Sequence, residues 1–244
     1  MINKILLTKT GKKFFVKDLN QDFHTQFGFI KKSDLKKKNI LVKTNKGAEF
    51  YILEPSFTDK FKKIKRGPQI ITLKDIGTII AETGINKEST VLDAGGGSGS
   101  LSCFLAHLCK KVYSYEIRKD FVKIIKENKE RLELKNLTIK NKDITTGITE
   151  KNLDLITLDL PEPWHVIKHA EKSLKPGAFL IAYLPTITQV TEFVERIKES
   201  KKFFYIKTLE NIQREWVINN KVVRPDFQML GHTGFLIITR KILK

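Results

Sequence analysis

A glycine-rich turn is the first feature of the sequence that suggests chemistry. An apolar run that ends on Asp93 leads into AGGGSGS, residues 94–100, and then into a helical pattern. Glycines at a strand-to-helix turn let the backbone pass close to a ligand, and the first helical turn offers unpaired N–H groups. The dinucleotide fingerprint GxGxxG fails in both registers, because Ser100 or Ser102 stands at the third glycine. The turn predicts a nucleotide-like ligand, with a plain glycine-rich turn as the alternative.

Two further carboxylates stand where the following apolar runs end. Glu116 ends KVYSYE, 23 residues beyond Asp93, and Asp143 ends LTIKNKD. In open α/β sheets ligands bind at the carboxyl ends of the strands, and an acid after the second strand commonly hydrogen-bonds ribose hydroxyls. We therefore expect the three acids to gather at one ligand site rather than to be scattered over a solvated surface.

A fourth apolar run, LDLITLD, ends on Asp159 and continues into a stiffened turn, DLPEPW. Pro161 and Pro163 each fix φ and remove a backbone donor. If this strand lies beside the first, the Asp159 carboxylate faces the ligand of the glycine turn, and the turn predicts a preorganised pocket for an acceptor. The alternative is a proline-punctuated turn in which Trp164 anchors a helix.

A mostly parallel sheet is needed to bring these residues together, and the apolar pattern from residue 63 onward predicts one. Apolar runs of four to eight residues alternate with amphipathic segments, which is typical of βαβ units. Near the end FFYIKTLENI with REWVIN, and then GFLIITRKI, follow without long helices between them. We therefore predict a seven-stranded α/β sheet that is parallel except for an antiparallel addition at one edge.

The first 62 residues predict a separate small β-rich domain with a strong positive charge. Short β-like runs are punctuated by Gly11, Gly47 and Pro55. Residues 1–66 contain 17 Lys and Arg against 6 Asp and Glu, a net charge of +11 out of +18 for the 244-residue chain. If the positive charge only reflected the base composition of the genome, it would be spread more evenly along the chain. We therefore predict that the domain binds nucleic acid. The remaining residues, 63–244, form the predicted catalytic domain.

Composition excludes several other classes of protein. Apolar runs are too short for a membrane span and the first residues lack the features of a signal peptide, so we expect a cytoplasmic protein without a membrane partner. The pairs Cys103/His107 and His165/His169 have the i, i+4 spacing of metal ligands. No third or fourth ligand stands near either pair in the sequence, so we predict no metal site.

The pattern D-x-G-x-G-x-G resembles the first motif of class I S-adenosylmethionine-dependent methyltransferases. The resemblance implies a Rossmann-like class I methyltransferase fold with S-adenosylmethionine as cofactor. It also implies that the glycine turn wraps the amino-acid end of the cofactor, that Glu116 binds its ribose, and that Asp143 and Ile144 contact its adenine. The cofactor-binding residues implied in the turn are Asp93, Gly95, Gly97, Ser98, Gly99 and Ser100.

A narrower resemblance covers about residues 64–240. The segments D-x-P-x-P-W at 159–164, RGPQII at 66–71 with Lys74-Asp75, R-P at 224–225 and GHTGFL at 231–236 are similar to elements of the TrmI-type tRNA adenine-N1 methyltransferases of archaea and bacteria. The resemblance implies methylation of adenine 58 in the tRNA T loop, with adenine 57 as a further target, and assembly as a homotetramer. It also implies a contact of Gln69 with the cofactor. Thr72-Leu73 departs from the Tyr-Pro of many members, so an aromatic contact with the target base is not expected there.

Asp159 is the predicted catalytic residue. Methyl transfer to adenine N1 places positive charge on the ring, and a carboxylate that accepts from the N6 amino group binds this transition state more tightly than the ground state. Asp159 also adjoins the cofactor in this hypothesis. Two alternatives stay open: a methyltransferase for another RNA or for a small molecule of the corrinoid type, and a non-catalytic RNA-binding subunit. The intact glycine turn and Asp159 argue against the second.

Overall fold

The computed structural model describes residues 2–37, 41–67, 69–219 and 221–242. The chain divides into two compact units, residues 1–64 and 65–244. The boundary expected from the sequence, residue 62, lies two residues earlier, at the end of a short helix. Helix ends are commonly uncertain by one or two residues in any assignment.

The first unit is built on a four-stranded antiparallel sheet in the order β2 (Lys13–Val16), β1 (Lys4–Thr8), β6 (Glu49–Leu53) and β5 (Leu41–Lys43), and β3 (Phe23–Thr25) pairs with β4 (Gly28–Ile30) as a separate hairpin. One face of the sheet is buried by alternating apolar side chains such as Leu6, Phe50 and Ile52. The elements of this unit are β1 (Lys4–Thr8), β2 (Lys13–Val16), β3 (Phe23–Thr25), β4 (Gly28–Ile30), α1 (Lys32–Leu35), β5 (Leu41–Lys43), β6 (Glu49–Leu53) and α2 (Phe57–Phe61).

The second unit alternates strands and helices as far as the helix Ile187–Ser200. Its helices are α3 (Leu73–Thr83), α4 (Ser100–Leu108), α5 (Lys119–Arg131), α6 (Ile167–Ser173) and α7 (Ile187–Ser200), with 3₁₀ turns at Ile144–Thr146 and Pro163–Val166. Its strands are β7 (Thr90–Ala94), β8 (Lys111–Glu116), β9 (Leu137–Asn141), β10 (Leu153–Leu158), β11 (Leu174–Leu184), β12 (Phe203–Glu210), β13 (Trp216–Asn219), β14 (Val222–Pro225) and β15 (Phe235–Lys241).

Seven of these strands form one sheet in the order β12-β15-β11-β10-β7-β8-β9. β11, β10, β7, β8 and β9 run parallel, whereas β15 pairs antiparallel with both β11 and β12. The prediction of a mostly parallel seven-stranded sheet is confirmed. After β7 the chain adds β8 and then β9 on one side of β7, and it then crosses to the other side of β7 and adds β10. The strand order therefore reverses between β7 and β10. Ligands bind at such a switch point in open α/β sheets.

REWVIN contains a strand, as expected, but the expectation that it belongs to the antiparallel addition of the main sheet was wrong. β12 ends at Glu210, and Trp216–Asn219 instead pairs with Val222–Pro225 as a separate two-stranded hairpin. Alternating apolar residues identify a strand from its sequence but do not identify its partner. Several large apolar side chains of this hairpin are exposed, namely Trp216, Ile218, Val222 and Val223.

The core of the second unit lies on the two faces of the parallel strands. The central strands are buried on both sides, as the continuous apolar runs predict. Leu92, Ile156 and Leu180 are fully buried, and Phe193 of α7 covers one face of the sheet. No helix in the described ranges is long and apolar enough to cross a membrane.

Candidate active site

The glycine turn between β7 and α4 adopts backbone conformations that side chains oppose. Gly95, Gly97 and Gly99 have φ values of 82°, 53° and 79°. A Cβ at Gly95 would also collide with the backbone carbonyl of Asp159, and a Cβ at Gly96 would collide with the Ser114 hydroxyl. Glycine is therefore favoured by φ at Gly97 and Gly99 and by the close approach of a neighbouring strand at Gly96, and both reasons apply at Gly95.

Glu116 ends β8 and holds the glycine turn in place. Its Oε2 accepts a hydrogen bond from the Gly97 N–H at 2.8 Å, and its Oε1 accepts from the Arg118 N–H at 2.8 Å. The residue is only 6% exposed, yet it lines the main cleft of the unit. Its carboxylate is fixed in orientation and still has free lone pairs towards that cleft.

Asp93 lies beneath the turn rather than in the main cleft. Its Oδ1 accepts from the Thr157 hydroxyl at 2.9 Å on the adjacent strand β10. Burial raises the pKa of this carboxyl to about 7, and the negative charges of Asp159 and Glu116 act in the same direction. Asp93 lines only a small recess under residues 95–98, so its contact with a ligand is confined to that recess.

The serines of the turn differ in their partners. The Ser100 hydroxyl donates to the Ile71 carbonyl at 3.0 Å and so holds the segment that carries Gln69. The Ser98 hydroxyl is buried and has no hydrogen-bond partner within the part of the chain that the structure describes. Gln69 is exposed and lines the cleft, whereas Gly99 is buried behind Ile125. Pro68, from the same sequence motif, is outside the described residues.

Asp143 begins the 3₁₀ turn that follows β9. Its Oδ1 accepts from both the backbone N–H and the hydroxyl of Thr145, at 2.8 and 2.7 Å. Ile144 next to it is 4% exposed, and both residues line the main cleft. The third strand-end acid therefore reaches the site that the sequence predicts, with one carboxylate oxygen used to build its own turn.

Asp159 follows directly after β10, beside the glycine turn. Its backbone N–H donates to the Ala94 carbonyl at 2.9 Å, which ties the ends of β10 and β7 together. The carboxyl opens onto the cleft, but the surrounding walls reduce its hydration and raise its pKa to about 6, with the charge of Glu116 adding to the effect. At neutral pH this carboxyl is mainly ionised.

The proline-rich turn after Asp159 is anchored at its far end. Pro163 is the first residue of the 3₁₀ turn, a position where its missing N–H costs nothing. Trp164 is half-buried and packs against the core of the sheet. The contacts of Trp164 thus agree with the alternative in which it anchors the turn to the core. Leu160 and Pro161 of the same turn line the cleft.

One open cleft of about 640 Å³ brings most of these residues together. Its glycine-loop wall, as we call it, consists of Gly95, Gly97, Glu116, Asp143 and Ile144. What we call the proline wall consists of Asp159, Leu160, Pro161, Pro185 and Gln189. Sequence reasoning missed several lining residues, namely Ile117, Arg118, Phe121, Lys142, Pro185 and Gln189. The first three follow a strand-end acid within five residues, a signal that points to the same edge of the sheet.

A buried amide that the sequence did not single out fastens the glycine turn from behind. Asn128 of α5 is fully buried. Its Nδ2 donates to the carbonyls of Ser98 and Lys65 at 2.8 Å each, and its Oδ1 accepts from the Lys65 N–H at 2.8 Å. One side chain therefore joins the turn to the segment that leads towards Gln69.

Two sequence motifs that are far apart in the chain meet at the buried Asp75 carboxylate. It accepts from the Thr72 hydroxyl, the Lys74 ammonium, the Asn211 amide and the Thr233 hydroxyl. Burial alone would raise the pKa of Asp75, but these hydrogen bonds, led by Asn211 and Lys74, hold it below its ordinary value. Thr72 is the residue before α3, and its hydroxyl is used to hold the Asp75 carboxylate.

His165, a member of one of the two pairs with metal-ligand spacing, lies 3.6 Å from the Glu162 carboxylate. Within the described ranges no three His, Cys, Asp or Glu side chains are placed to hold a metal ion. Cys103 is a free, buried thiol whose pKa is raised to about 12 by burial. His169 forms a hydrogen bond between its Nε2 and the Thr145 carbonyl at 2.9 Å, beside the turn that carries Asp143.

Comparison with known proteins gives a consistent set of matches. Residues 50–227 match the family model described as the tRNA methyltransferase complex GCD14 subunit. The chain is 35% identical to the tRNA (adenine(57)-N(1)/adenine(58)-N(1))-methyltransferase TrmI of Methanocaldococcus jannaschii, over 97% of this chain and 94% of that protein.

Two solved structures cover almost the whole chain. The tRNA (m1A58) methyltransferase TrmI of Aquifex aeolicus is similar with a TM-score of 0.81 and 27% identity, over 99% of this chain and 97% of that one. A protein of Thermotoga maritima described as an S-adenosylmethionine-dependent O-methyltransferase has a TM-score of 0.85 and 30% identity, over 100% of this chain and 94% of that one. Both matches extend through the first unit as well as the second.

Proposed function

This chain belongs to the family of tRNA methyltransferases that includes the GCD14 subunit and the TrmI proteins, and we propose that it methylates N1 of adenine 58 in the T loop of tRNA. The methyl donor is S-adenosylmethionine. Adenine 57, which the name of the M. jannaschii relative includes, is proposed as a second target. The observation that carries the proposal is that Asp159 and the glycine turn line one cleft.

The residues present suit the cofactor. A Cβ at Gly97 would meet nothing closer than 3.8 Å, so the glycine turn is open where it lines the cleft, and the neighbouring Ser98 hydroxyl is buried without a described partner. The glycine-loop wall also offers carboxylates at Glu116 and Asp143 and an apolar surface at Ile144. Backbone N–H groups, carboxylates for hydroxyl and amino groups, and an apolar patch for a purine match the parts of S-adenosylmethionine.

We assign roles to the wall residues accordingly. The turn residues Gly95, Gly97, Ser98, Gly99 and Ser100, with Asp93 beneath them and Gln69 beside them, would hold the amino-acid end of the cofactor. Glu116 would bind its ribose hydroxyls, and Asp143 with Ile144 would bind its adenine. When bound, the cofactor supplies an electrophilic methyl group on a positively charged sulfur. The chain itself needs no nucleophile, because the acceptor nitrogen brings its own lone pair.

Asp159 acts on the acceptor base. The ring acquires positive charge as N1 takes up the methyl group, and the N6 amino group becomes a stronger hydrogen-bond donor. The Asp159 carboxylate accepts that hydrogen bond and stabilises the transition state more than the ground state. The reduced hydration that raises its pKa to about 6 also strengthens this electrostatic interaction. Asp159 therefore needs to be ionised and to keep its position.

The first unit is proposed to bind the tRNA backbone. Most lysines of residues 2–37 and 41–64 are exposed, and they give this segment its large positive charge. Lys12 lies 5.4 Å from the centre of the Phe14 ring and 5.6 Å from that of Phe27, so basic and aromatic side chains are interleaved there. Contacts with phosphates position an RNA, and an enzyme that must extract a stacked base depends on them.

Assembly into a homotetramer is also proposed. The hairpin β13–β14 exposes Trp216 (58%), Ile218 (75%) and Val223 (61%), and Phe227 just beyond it is 85% exposed. A contiguous apolar surface of this kind is unfavourable in water and marks a protein interface. A second copy of the chain would cover it, as the family resemblance implies.

The deciding experiment locates the methyl group. The purified protein is incubated with labelled S-adenosylmethionine and unmodified tRNA transcript, and the modified nucleosides are mapped by mass spectrometry. We expect 1-methyladenosine at position 58, and at 57 as the second target, with a rate that falls steeply as salt rises because counterions are released on RNA binding. Methylation of a small molecule without transfer to tRNA would refute the proposal, and failure to bind the cofactor would favour a non-catalytic subunit.

A further inference from the structure

The proline wall of the cleft is formed by two loop segments whose carbonyls are each held by one side chain. Pro161 follows Asp159 by two residues, and Pro185 follows the end of β11. Both line the cleft that Asp159 enters. A proline has no N–H, so each of these residues can be fastened through its backbone only at the carbonyl.

Gln189 of α7 holds the first of these carbonyls. Its Nε2 donates to the Pro161 carbonyl at 2.9 Å. Its Oε1 accepts from the Thr186 hydroxyl at 2.6 Å, so the amide is oriented and cannot rotate without losing both bonds. Gln189 is half-buried and lines the cleft itself.

His232 holds the second carbonyl. Its Nε2 lies 2.9 Å from the Pro185 oxygen, which can only accept, so this nitrogen carries a hydrogen. Its Nδ1 lies 2.6 Å from a carboxylate oxygen of Glu210, and the Phe235 ring lies 4.9 Å away, centre to centre. Both partners are acceptors, so both contacts are hydrogen bonds when the ring carries a hydrogen on each nitrogen. The hydrogen bond with Glu210 raises the pKa of His232, and the Pro185 carbonyl adds to the effect.

Thr186 joins the two contacts. It follows Pro185 directly and begins α7, where its hydroxyl also accepts from the Gln189 N–H at 3.4 Å. A continuous path therefore runs from Glu210 and His232 through Pro185 and Thr186 to Gln189 and Pro161. The glycine-loop wall has no part in it.

We propose that Gln189 and His232 are positioning residues that keep the proline wall in the shape that the acceptor base requires. The inference rests on the proposed function for the identity of the acceptor, but the contacts themselves are independent of it. Gln189 fixes the turn that carries Asp159, and His232 fixes the start of the helix that carries Gln189. Neither residue reacts. Loss of either loosens the acceptor side of the cleft and leaves the cofactor side unchanged.

The first test measures motion and needs no activity. Gln189→Met keeps the side-chain length and removes the hydrogen-bond donor. His232→Asn has a shorter side chain, which no longer reaches the Pro185 carbonyl. Hydrogen–deuterium exchange of the full chain should become at least about threefold faster in residues 159–166 for Gln189→Met, and in residues 183–189 for His232→Asn. Residues 94–100 should exchange as in the wild type. Gln213→Ala, at an exposed position, is the matched control and should leave all three segments unchanged.

The second test separates the two walls by function. Both variants should bind S-adenosylmethionine within about twofold of the wild-type affinity. At saturating tRNA their single-turnover rate should fall about tenfold, since a small displacement of a reacting group has effects of this order. A residue that merely stabilised the fold would weaken cofactor binding and accelerate exchange throughout the second unit.

Each outcome decides a different statement. Unchanged exchange in residues 159–166 and 183–189 would overturn the positioning role. Faster exchange in the glycine turn as well would overturn its restriction to the proline wall. If the wild type fails to methylate tRNA, the proposed function is refuted, and the exchange experiment still decides whether these side chains hold the wall.

Discussion

The two walls of the cleft are built by different means. On the glycine-loop wall, backbone N–H groups and buried carboxylates hold one another, as in the hydrogen bond from Gly97 to Glu116. On the proline wall, Asp159 stands on a segment whose prolines cannot donate, and side chains from β12, α7 and the loop before β15 supply the missing contacts. The residues that line the first wall all stand within a few residues of a strand end, although Asn128 of α5 fastens the turn from behind. The second wall is assembled from distant parts of the chain.

This difference matches the tasks that we propose for the walls. A cofactor common to many methyltransferases can be held by a short local motif at the switch point of the sheet. An acceptor base is particular to one family, and its pocket is formed from loops and the antiparallel strands added to one edge of the sheet. The comparison predicts that changes on one wall leave the function of the other intact, except at the one point where the backbones touch.

That point is Gly95, and its substitution should have the largest effect on both walls. In Gly95→Ala the new Cβ meets the Asp159 carbonyl, and φ is 82°. We expect cofactor affinity to fall on the order of 100-fold, together with a loss of stability of about 1–3 kcal/mol from backbone strain. Calorimetric titration and thermal melting measure the two effects.

Gly84→Ala is the control for Gly95→Ala. Gly84 also has a positive φ, 62°, but a Cβ there meets nothing within 4 Å. The Gly84→Ala variant should lose about 1 kcal/mol in its free energy of unfolding, because alanine is unfavourable at a positive φ, and should keep its cofactor affinity. Equal cofactor affinities in the two variants would show that the contact between the walls is unimportant.

Acidification should act through the proline wall. Since the pKa of Asp159 is raised to about 6, its carboxyl is protonated as the pH falls below that value and can no longer accept from the N6 amino group. We expect kcat/KM for the cofactor, which reports the free enzyme, to be about one tenth of its plateau at pH 5. A profile that stays flat down to about pH 4.5 would contradict an ionised Asp159 in the mechanism.

Asn128→Ala tests the glycine-loop wall alone. The substitution leaves the Ser98 and Lys65 carbonyls and the Lys65 N–H without their buried partner. We expect a loss of about 1–3 kcal/mol in the free energy of unfolding and a several-fold weaker cofactor affinity. The single-turnover rate at saturating cofactor should change less than twofold. A larger fall in that rate than in affinity would mean that the walls are coupled.

The smallest expected effect is a gain in stability. A carboxyl with a raised pKa destabilises the folded state when it is ionised. For Asp159 this loss of stability is fully present above about pH 6, and it disappears as the pH falls to 3.8, the ordinary pKa of an Asp carboxyl. Asp159→Asn should therefore melt slightly higher than the wild type at about pH 8 and equally at about pH 4. A lower melting temperature at pH 8 would show that the carboxylate stabilises the fold.

The contrast between the walls also explains what the sequence could reveal. Gly95, Glu116, Asp143 and Asp159 line one cleft, and the sequence could indicate this because each stands at or just after the end of a strand and parallel strands end at a common edge. The direction of the Asp93 side chain, beneath the turn, depends on its register with β10 and was not predicted.

Long-range contacts were beyond the reach of sequence patterns. Gln189 lies 28 residues from Pro161, and His232 lies 47 residues from Pro185, and no local motif marks either pair. The pairing of REWVIN failed for the same reason, since its partner strand is chosen by tertiary packing and not by periodicity.

The most direct test of the account compares two measurements on one variant, Asp159→Ala. Cofactor affinity from titration calorimetry should stay within about threefold of the wild type. The single-turnover rate of adenine methylation at saturating cofactor and tRNA should fall by on the order of 10²–10³. An unchanged rate, or a loss of affinity as large as the loss of rate, would contradict the assignment of Asp159 to the acceptor side of the cleft.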